Sequence, residues 1–184
     1  MYRELMTFIR KWEGGFVDDP QDRGSATNMG VTIGTWRTHG YDKDKDGDID
    51  VADLKKMSLE DWEVICKKQY WDRWQADSIK HKEVAFMLVD WVWGSGSYGI
   101  KIPQRVLGVK ADGIVGPKTL AAVNSRPRDF ARELAKERLA YLHRIVKSDS
   151  TQKKYIKGWT NRVNDLVRLC GFEPVRLEEY KHLI

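Results

Sequence analysis

The segment that most constrains the fold of this chain is an apolar stretch near its middle. Residues 83–93 read E-V-A-F-M-L-V-D-W-V-W, so a helix built from them would be apolar on almost every side. Such a helix has to be enclosed by other elements of the domain. We expect it to stop at Gly94-Ser95-Gly96, because glycine supplies the backbone geometry that ends helices. We therefore predict that this helix is the buried centre of the domain, with Asp90 inside it as a hydrogen-bonded strut.

The segments on either side have the periodicity of further helices. Apolar residues recur there at spacings of three and four, which is the pattern of a helix with one buried face. These segments cover residues 2–12, 58–74, 117–124, 129–146 and 155–170, and a further short helix is expected after Gln104, ending near Gly108. Between positions 16 and 35 the residues are typical of loops, with a small hairpin or irregular strand expected near 29–33. The prediction is a mainly α fold with a small irregular β/loop region near the N-terminus, and a charged tail after Phe172 that packs loosely.

The charge balance indicates an anionic partner. The 184-residue chain has 32 Lys and Arg residues against 27 Asp and Glu, a net charge of +5, and many of the acidic residues are concentrated in one segment. The remaining surface is therefore more basic than the total, which suits nucleic acid, lipid headgroups or a cell-wall polymer. Nucleic acid is the least favoured of these. The chain has no helix-turn-helix, zinc-finger or RNA-binding signature, and its acidic segment opposes that role.

The cysteines and the first residues bear on the compartment in which the chain is made. Cys66 and Cys170 fall at apolar positions of helical segments, so we expect buried free thiols and no disulfide framework. The start, M-Y-R-E-L, has no apolar core of signal-peptide length, and no apolar run approaches a membrane span. We therefore expect synthesis in the bacterial cytoplasm and a non-classical export route for any action outside it.

An acidic loop provides the first candidate binding site. Residues 42–53, D-K-D-K-D-G-D-I-D-V-A-D, place Asp at loop positions 1, 3, 5, 7, 9 and 12 and Gly at position 6. This is the EF-hand calcium pattern, except that Asp53 replaces the usual Glu at position 12. Because clustered carboxylates repel one another unless a cation lies among them, we predict a structural Ca²⁺ here; the alternative is a solvated acidic turn. The ligands would be Asp42, Asp44, Asp46, Asp48, Asp50 and Asp53.

The segment from Trp12 to Gly30 contains the parts of an acid-catalysed hydrolysis site. It reads W-E-G-G-F-V-D-D-P-Q-D-R-G-S-A-T-N-M-G, with one carboxylate at the end of the first helix and further carboxylates in a turn-rich loop. Glu13 lies beside the bulky Trp12 and Phe16, and partial burial of a carboxyl group favours the protonated form that a proton donor needs. Without further context, Glu13 would be read as an ordinary surface residue at a helix end.

The same segment carries a family resemblance. Its pattern E-G-G-F-V-D-D-P-x-D-x-G-x-x-T-N-x-G resembles that of bacterial and phage glycoside hydrolases known as N-acetylmuramidases and secretion activator proteins. Q-Y-W-D-R-W at residues 69–74 also fits that family. The later stretch Q-R-V-L-G-V-K-A-D-G-I-V-G-P-K-T-L is similar to the peptidoglycan-binding segment that follows the family's catalytic segment. The resemblance covers about residues 5–170.

The resemblance implies a lysozyme-like fold and an activity. Residues 1–80 would form a catalytic muramidase segment, and residues 81–184 a helical peptidoglycan-binding segment packed with the first as one compact unit. The implied reaction is that of an endo-N-acetylmuramidase, which cleaves the bond between N-acetylmuramic acid and N-acetylglucosamine in peptidoglycan without a catalytic cofactor. The alternative is a non-catalytic peptidoglycan-binding protein that assists secretion.

By this resemblance Glu13 is the general acid. Phage-type lysozymes have a Glu, eight intervening residues, an Asp and then a Thr a few residues on, and Glu13, Asp22 and Thr27 show a closely similar spacing, Glu-x8-Asp-x4-Thr. Asp22 would then orient or deprotonate the attacking water, and Thr27 would hold that water. The structural alternatives are a turn-capping Asp and a loop-bracing Thr. Asp19 is the reserve second carboxylate, and the sequence leaves open whether the enzyme inverts or retains, because that depends on the carboxyl separation.

Three further residues are candidates for substrate binding. Asn28 follows Thr27 in the family pattern, and Tyr70 and Trp71 could stack on sugar rings, although aromatic residues at helical spacing are more often part of a core. The chain departs from the family at Arg23-Gly24-Ser25, where Pro-Gly-Gly is usual. It departs again with Asp18 and Gly94, where asparagine is usual. The first departure puts the backbone of the catalytic loop in doubt.

The expected partners follow from this reading. Peptidoglycan is the expected ligand, and the expected place of action is the cell wall, in the periplasm or outside the cell. In the family, a holin-like or secretion-system membrane partner is implied. We expect a monomer that does not bind nucleic acid.

Overall fold

The computed structural model describes residues 1–16 and 26–184. It is mainly α, with a lysozyme-like fold and a very small two-stranded sheet, as the sequence predicts. The chain divides into two compact units, Met1–Gln69 and Tyr70–Ile184. None of the helices in these described ranges combines the length and the apolar character needed to cross a membrane.

The first unit consists of short elements. Its helices are α1 (Tyr2–Trp12), α2 (Ile33–His39), α3 (Val51–Lys55) and α4 (Leu59–Cys66), and its strands are β1 (Thr27–Asn28) and β2 (Val31–Thr32). Helix α1 buries one face and ends at Trp12, with Glu13 as its C-terminal cap immediately before the two glycines, as the sequence predicts. The sequence periodicity did not predict α2, a short helix that begins within the loop-like residues 16–35 and continues to His39.

The strands form the predicted hairpin. Thr27 pairs with Thr32, and Asn28 pairs with Val31. Met29 and Gly30 at the turn have positive φ angles of 46° and 78°. Two successive positive φ angles are the requirement of the tight hairpin turn that matches the natural twist of paired strands.

The segment predicted as one helix over residues 58–74 changes its winding. Helix α4 ends at Cys66, a π-helical turn follows at Lys67–Trp71, and a 3₁₀ turn at Asp72–Trp74. The 3₁₀ winding brings residues three apart onto one side, and Trp71 and Trp74 are both fully buried. The prediction of a single helix was therefore wrong, because two large indoles three residues apart have to reach the same interior.

The second unit is built around the apolar segment. Its helices are α5 (Lys82–Ser95), α6 (Tyr98–Val106), α7 (Pro117–Asn124), α8 (Phe130–Ser148) and α9 (Ile156–Leu169). Every residue of α5 from Glu83 to Val92 is buried, which confirms the predicted central helix. At Gly99 a β-carbon would lie 2.4 Å from the backbone nitrogen of Val92, so α6 crosses α5 at a separation that only glycine allows.

Asp90 is the strut that the sequence predicts. It is fully buried in α5, and its two carboxylate oxygens accept hydrogen bonds from Arg138 Nη1 of α8 at 2.7 Å and from Arg162 Nη2 of α9 at 2.8 Å. Burial opposes its ionisation, but the two guanidinium groups outweigh burial and hold the pKa of Asp90 below its usual range. One charged group thus joins three helices.

The C-terminal tail is docked, so the expectation of loose packing was wrong. Arg132 Nη1 and Nη2 of α8 donate to the two carboxylate oxygens of Glu179 at 2.7 and 3.1 Å. Tyr180 is almost completely buried, and its hydroxyl lies 3.1 Å from His143 Nε2. The charges of the tail therefore hold it to α8.

Candidate active site

Glu13 lies where a helix ends and its side chain is partly enclosed. It is the residue that caps α1 at the C-terminus, with an extended backbone (φ −88°, ψ 140°) and an N–H that donates to the carbonyls of Ile9 and Arg10. Its side chain is half-buried, as are those of Trp12 and Phe16. The helix end fixes the position of the backbone, while the carboxyl group remains partly accessible.

Helix α4 is hydrogen-bonded to both α1 and the hairpin. Tyr2 Oη donates to the Glu63 carbonyl at 2.6 Å, which ties α1 to α4, and Trp62 Nε1 donates to the Met29 carbonyl at 2.9 Å, which ties α4 to the hairpin turn. Burial raises the pKa of the Cys66 thiol, and the negative charge of Glu13 raises it further. The Glu13 carboxylate is therefore within electrostatic reach of α4, the helix on which the hairpin also rests.

The sequence predicts that Cys66 is buried, but it does not indicate that Cys66 lies near Glu13. It is buried without a disulfide, as is Cys170, which confirms the prediction of free thiols. The separation of 53 positions between Glu13 and Cys66 gave no sign that the two are near each other.

Of the other residues in the predicted catalytic pattern, Thr27 and Asn28 lie in the part of the chain that the structure describes, and Asp22 does not. Thr27 lies half-buried in β1, in the first unit with Glu13. The side chain of Asn28 is 8% exposed, and its Nδ2 donates to the Leu54 carbonyl at 2.8 Å, which holds the hairpin to α3. Asp22 lies outside the described residues. So do Asp18, Asp19 and residues 23–25.

Tyr70 and Trp71 belong to the second unit. Tyr70 is half-buried and packs against Trp93 with ring centroids 4.7 Å apart. Trp71 is fully buried, so its ring reaches no surface in this conformation. Of the two predicted stacking residues, only Tyr70 has an accessible side chain. The substrate-binding roles of these residues and of Asn28 stay predictions.

The acidic loop places its carboxylates in two groups of three. Oxygens of Asp42, Asp44 and Asp46 lie within 4.8 Å of one another. Oxygens of Asp48, Asp50 and Asp53 do so as well. The structure therefore brings the six predicted ligands into one loop but does not gather them around a single point.

Some of these carboxylates are already bound by other groups of the protein. Both oxygens of the fully buried Asp53 accept backbone N–H bonds, from Asp50 at 2.9 Å, Lys43 at 2.6 Å and Asp44 at 3.1 Å. These bonds, led by that from Asp50, hold the pKa of Asp53 below its usual value. Lys56 Nζ lies 2.9 Å from Asp44 Oδ2. Asp53 thus closes the loop as well as being a candidate ligand.

The second unit has a pocket between α6 and α8, which the sequence did not predict. Its volume is about 360 Å³, and its walls include Tyr98, Arg105, Tyr141 and Arg144. The spacing of these residues along the sequence shows that those of each helix share one face. It does not show that the two helices face each other, which only the tertiary structure reveals.

Comparisons with known proteins place the chain in a family. Residues 6–96 match the family described as glycosyl hydrolase 108, and residues 98–164 match a family described as a predicted peptidoglycan domain. The structure of SagA from Brucella abortus is similar over 95% of this chain and 96% of that one, with 32% sequence identity and a TM-score of 0.75. The chain belongs to the glycosyl hydrolase 108 family.

This membership confirms the resemblance read from the sequence. Glu13, Thr27, Asn28 and the aromatic residues at 70–71 all lie in the glycosyl hydrolase 108 match, whereas the α6–α8 pocket lies in the match to the peptidoglycan domain. The comparison with curated proteins gives no match. Both matched segments, residues 6–96 and 98–164, therefore support a peptidoglycan-related function.

Proposed function

We propose that this protein is a peptidoglycan hydrolase of the endo-N-acetylmuramidase type, with Glu13 as its general acid. The observation that carries the proposal is the half-buried Glu13 at the end of α1, inside the part of the chain that matches glycosyl hydrolase 108. The peptidoglycan domain over residues 98–164 supports the choice of polymer. Because this polymer forms the bacterial cell wall, we place the action of the protein there.

In the proposed reaction Glu13 donates its proton to the glycosidic oxygen as the bond to the sugar carbon breaks. A second carboxylate is needed to take a proton from the attacking water, or to attack the sugar directly. We assign the water-activating role to Asp22 by its spacing from Glu13, and we assign Thr27 to holding that water through its hydroxyl group. Proton transfer by positioned groups of this kind contributes about 100- to 10,000-fold to a rate.

Substitution of Glu13 tests the assignment. Glu13→Gln keeps the size of the side chain and removes the proton, so we expect the release of reducing ends from purified peptidoglycan to fall by about 100-fold or more. Sedimentation with the insoluble polymer should be unchanged. Glu63→Gln is the matched control, since Glu63 is an exposed residue of α4 that also raises the pKa of Cys66, and it should hydrolyse at the wild-type rate.

Two results would contradict this proposal. Hydrolysis by Glu13→Gln within a few-fold of wild type would remove Glu13 from the mechanism. Wild-type protein that sediments with peptidoglycan but releases no reducing ends would support the alternative function, a non-catalytic peptidoglycan-binding protein that assists secretion.

We also propose that loop 42–53 binds a structural Ca²⁺. The spacing of its aspartates is that of an EF-hand loop, Gly47 at position 6 has the positive φ angle of 104° that the sharp turn requires, and two groups of three carboxylates are present. Asp42 accepts backbone N–H bonds from Lys45 at 2.6 Å and Gly47 at 2.9 Å, so its oxygens face the inside of the loop. Since carboxylate and carbonyl oxygens are the ligands that Ca²⁺ prefers, the donor set fits this ion.

Thermal unfolding with and without calcium tests this proposal. Saturation at 100 times the dissociation constant stabilises the folded state by about 2.7 kcal/mol, so Ca²⁺ should raise the midpoint relative to protein in chelator. Mg²⁺ should have less effect, because it demands a tighter octahedral shell. Asp46→Asn should abolish the calcium response, while Asp77→Asn, in the second unit, should leave it intact. An equal midpoint in calcium and chelator would reject the site.

A further inference from the structure

The pocket between α6 and α8 has the form of a binding site for a small ligand. Its volume of about 360 Å³ falls within the usual range for such sites, about 300–1,000 Å³. The lining residues are Tyr98, Ile102, Arg105 and Val106 from α6 and Glu137, Tyr141 and Arg144 from α8. All of these residues lie within the match to the peptidoglycan domain, residues 98–164.

The spacing along each helix explains how these side chains reach one pocket. Tyr98, Ile102 and Arg105 of α6 are four and then three positions apart, and so are the three lining residues of α8. Residues at these spacings lie on one face of a helix. Each helix therefore presents a stripe with an aromatic residue and an arginine, and the two stripes line the same pocket.

The two tyrosines form an aromatic wall. Tyr98 and Tyr141 are stacked, with ring centroids 5.9 Å apart and an angle of 30° between the ring planes. Tyr98 is 54% exposed, whereas burial raises the pKa of Tyr141, whose hydroxyl also hydrogen-bonds with Ser95. Tyr141 is thus the fixed support, and Tyr98 offers an aromatic face to solvent, on which the apolar face of a sugar ring can pack.

The charges of the pocket are not balanced. Arg144 is already used, because its Nη2 donates to Glu137 at 2.7 Å and its Nη1 donates to the Leu183 carbonyl at 2.5 Å. Arg105 is exposed, and within residues 1–16 and 26–184 it has no carboxylate partner. A guanidinium group binds a carboxylate through two parallel hydrogen bonds, so Arg105 favours a ligand with a carboxylate group.

We propose that this pocket binds a sugar unit of peptidoglycan that carries a carboxylate, with the sugar ring on Tyr98 and the carboxylate on Arg105. The inference deepens the proposed function and rests on it, since it assigns the polymer contact of the second unit to particular residues. The cleft of about 690 Å³ along residues 108–119 lies in the same segment, but none of its lining residues is aromatic or an arginine. The α6–α8 pocket therefore matches the chemistry of an acidic sugar better.

Calorimetric titration of the full chain with soluble fragments tests the proposal. The probes are the disaccharide N-acetylglucosaminyl-N-acetylmuramic acid, with and without its tetrapeptide, and the neutral tetramer of N-acetylglucosamine. Arg105→Glu should weaken binding of the acidic fragments by about tenfold or more and leave the neutral tetramer unaffected. Tyr98→Ala should weaken all three by about three- to tenfold. In the fragment without peptide the carboxylate is that of muramic acid, whereas in the other fragment that group is amide-linked and the carboxylates belong to the peptide. The fragment that loses more affinity in Arg105→Glu therefore shows which carboxylate the arginine binds.

Matched controls separate the pocket from general effects of charge and aromatic content. Tyr155 is 46% exposed and stacked on Trp159 with an interplanar angle of 27°, so Tyr155→Ala removes an equivalent tyrosine outside the pocket. Lys118→Glu, in the cleft along residues 108–119, makes the same change of charge as Arg105→Glu. Both controls should bind the fragments like wild type.

The outcomes distinguish failure of this inference from failure of the proposed function. Wild-type affinity in Arg105→Glu and Tyr98→Ala, or equal losses in Lys118→Glu, would overturn the pocket assignment while peptidoglycan binding stands. Wild-type protein that binds no fragment and neither sediments with nor hydrolyses peptidoglycan would overturn both. Thermal midpoints of all variants within a few degrees of wild type would show that lost binding is not lost folding.

Discussion

Removal of the charge on Asp90 is the perturbation that tests the architecture of the second unit most directly. The carboxylate is fully buried and is shared by Arg138 and Arg162, whose side chains are only 5% and 14% exposed. Asp90→Asn keeps the shape of the side chain but removes the negative charge that the guanidinium groups of the buried Arg138 and the half-buried Arg162 share. One of them would also face the amide NH₂ group, which is a donor and cannot accept its hydrogen bond.

The expected cost is large because the group is buried. Removal of one partner from a buried ion pair costs about 3–5 kcal/mol. For a protein of this size each kcal/mol lowers the melting midpoint by about 2–4 °C, so the expected decrease is about 6–20 °C. The eight tryptophans provide a fluorescence signal for urea unfolding, from which the free energy of unfolding of variant and wild type can be compared.

The surface pair of α9 is the control for this measurement. Asp165 Oδ1 accepts from Arg168 Nη1 at the same 2.7 Å distance, but the two side chains are 32% and 57% exposed. Asp165→Asn should therefore change stability by less than about 1 kcal/mol. If Asp90→Asn cost no more stability than Asp165→Asn, the contacts of Asp90 with Arg138 and Arg162 would not be a structural strut.

Two further predictions concern backbone contact and pH. In Gly99→Ala the new β-carbon would lie 2.4 Å from Val92 N, so chemical denaturation should show that the free energy of unfolding falls by about 1–3 kcal/mol. In the control Gly158→Ala no atom lies within 4 Å of the new carbon, so this variant should stabilise α9 by about 0.5–1 kcal/mol. The reverse order of stabilities would contradict the close crossing of α5 and α6. Arg132 lowers the pKa of Glu179 to about 2. The tail contact should therefore be complete above the ordinary carboxyl pKa of about 4.3 and be lost as pH falls from there towards 2. The rate of hydrogen exchange in residues 175–184 measures the loss of this contact. Glu179→Gln should raise that rate already at pH 7, whereas the control Glu178→Gln should leave it unchanged.

Local sequence patterns were sufficient for several of the elements. Helix α5 could be predicted because a run that is apolar on all sides has no stable place except the interior. The end of α1 just before Gly14-Gly15 could be predicted because glycine supplies the backbone geometry that ends helices. A small hairpin or irregular strand could be expected near residues 29–33 because that piece alternates, although the structure places Met29 and Gly30 at the turn. In each case the energetic preference arises within a few residues and needs no knowledge of distant segments.

Other local features were decided by packing. Tertiary contacts changed the winding after Cys66, where the burial of Trp71 and Trp74 is accompanied by π-helical and 3₁₀ turns. The tail looked loose because its charges predict solvent exposure. The structure pairs Glu179 with Arg132, and this partner lies 47 positions away.

The sequence by itself determined the mainly α class, the buried central helix, the family and the candidate acid Glu13, because each depends on residues close together in the chain. Only the tertiary structure decided which cations neutralise Asp90, since Arg138 and Arg162 are 48 and 72 positions from it. It also decided that Tyr98 and Arg105 of α6 line one pocket with Tyr141 of α8. The physical reason is that partners of buried charges and walls of pockets are chosen by how helices pack, and many packings satisfy the same local pattern.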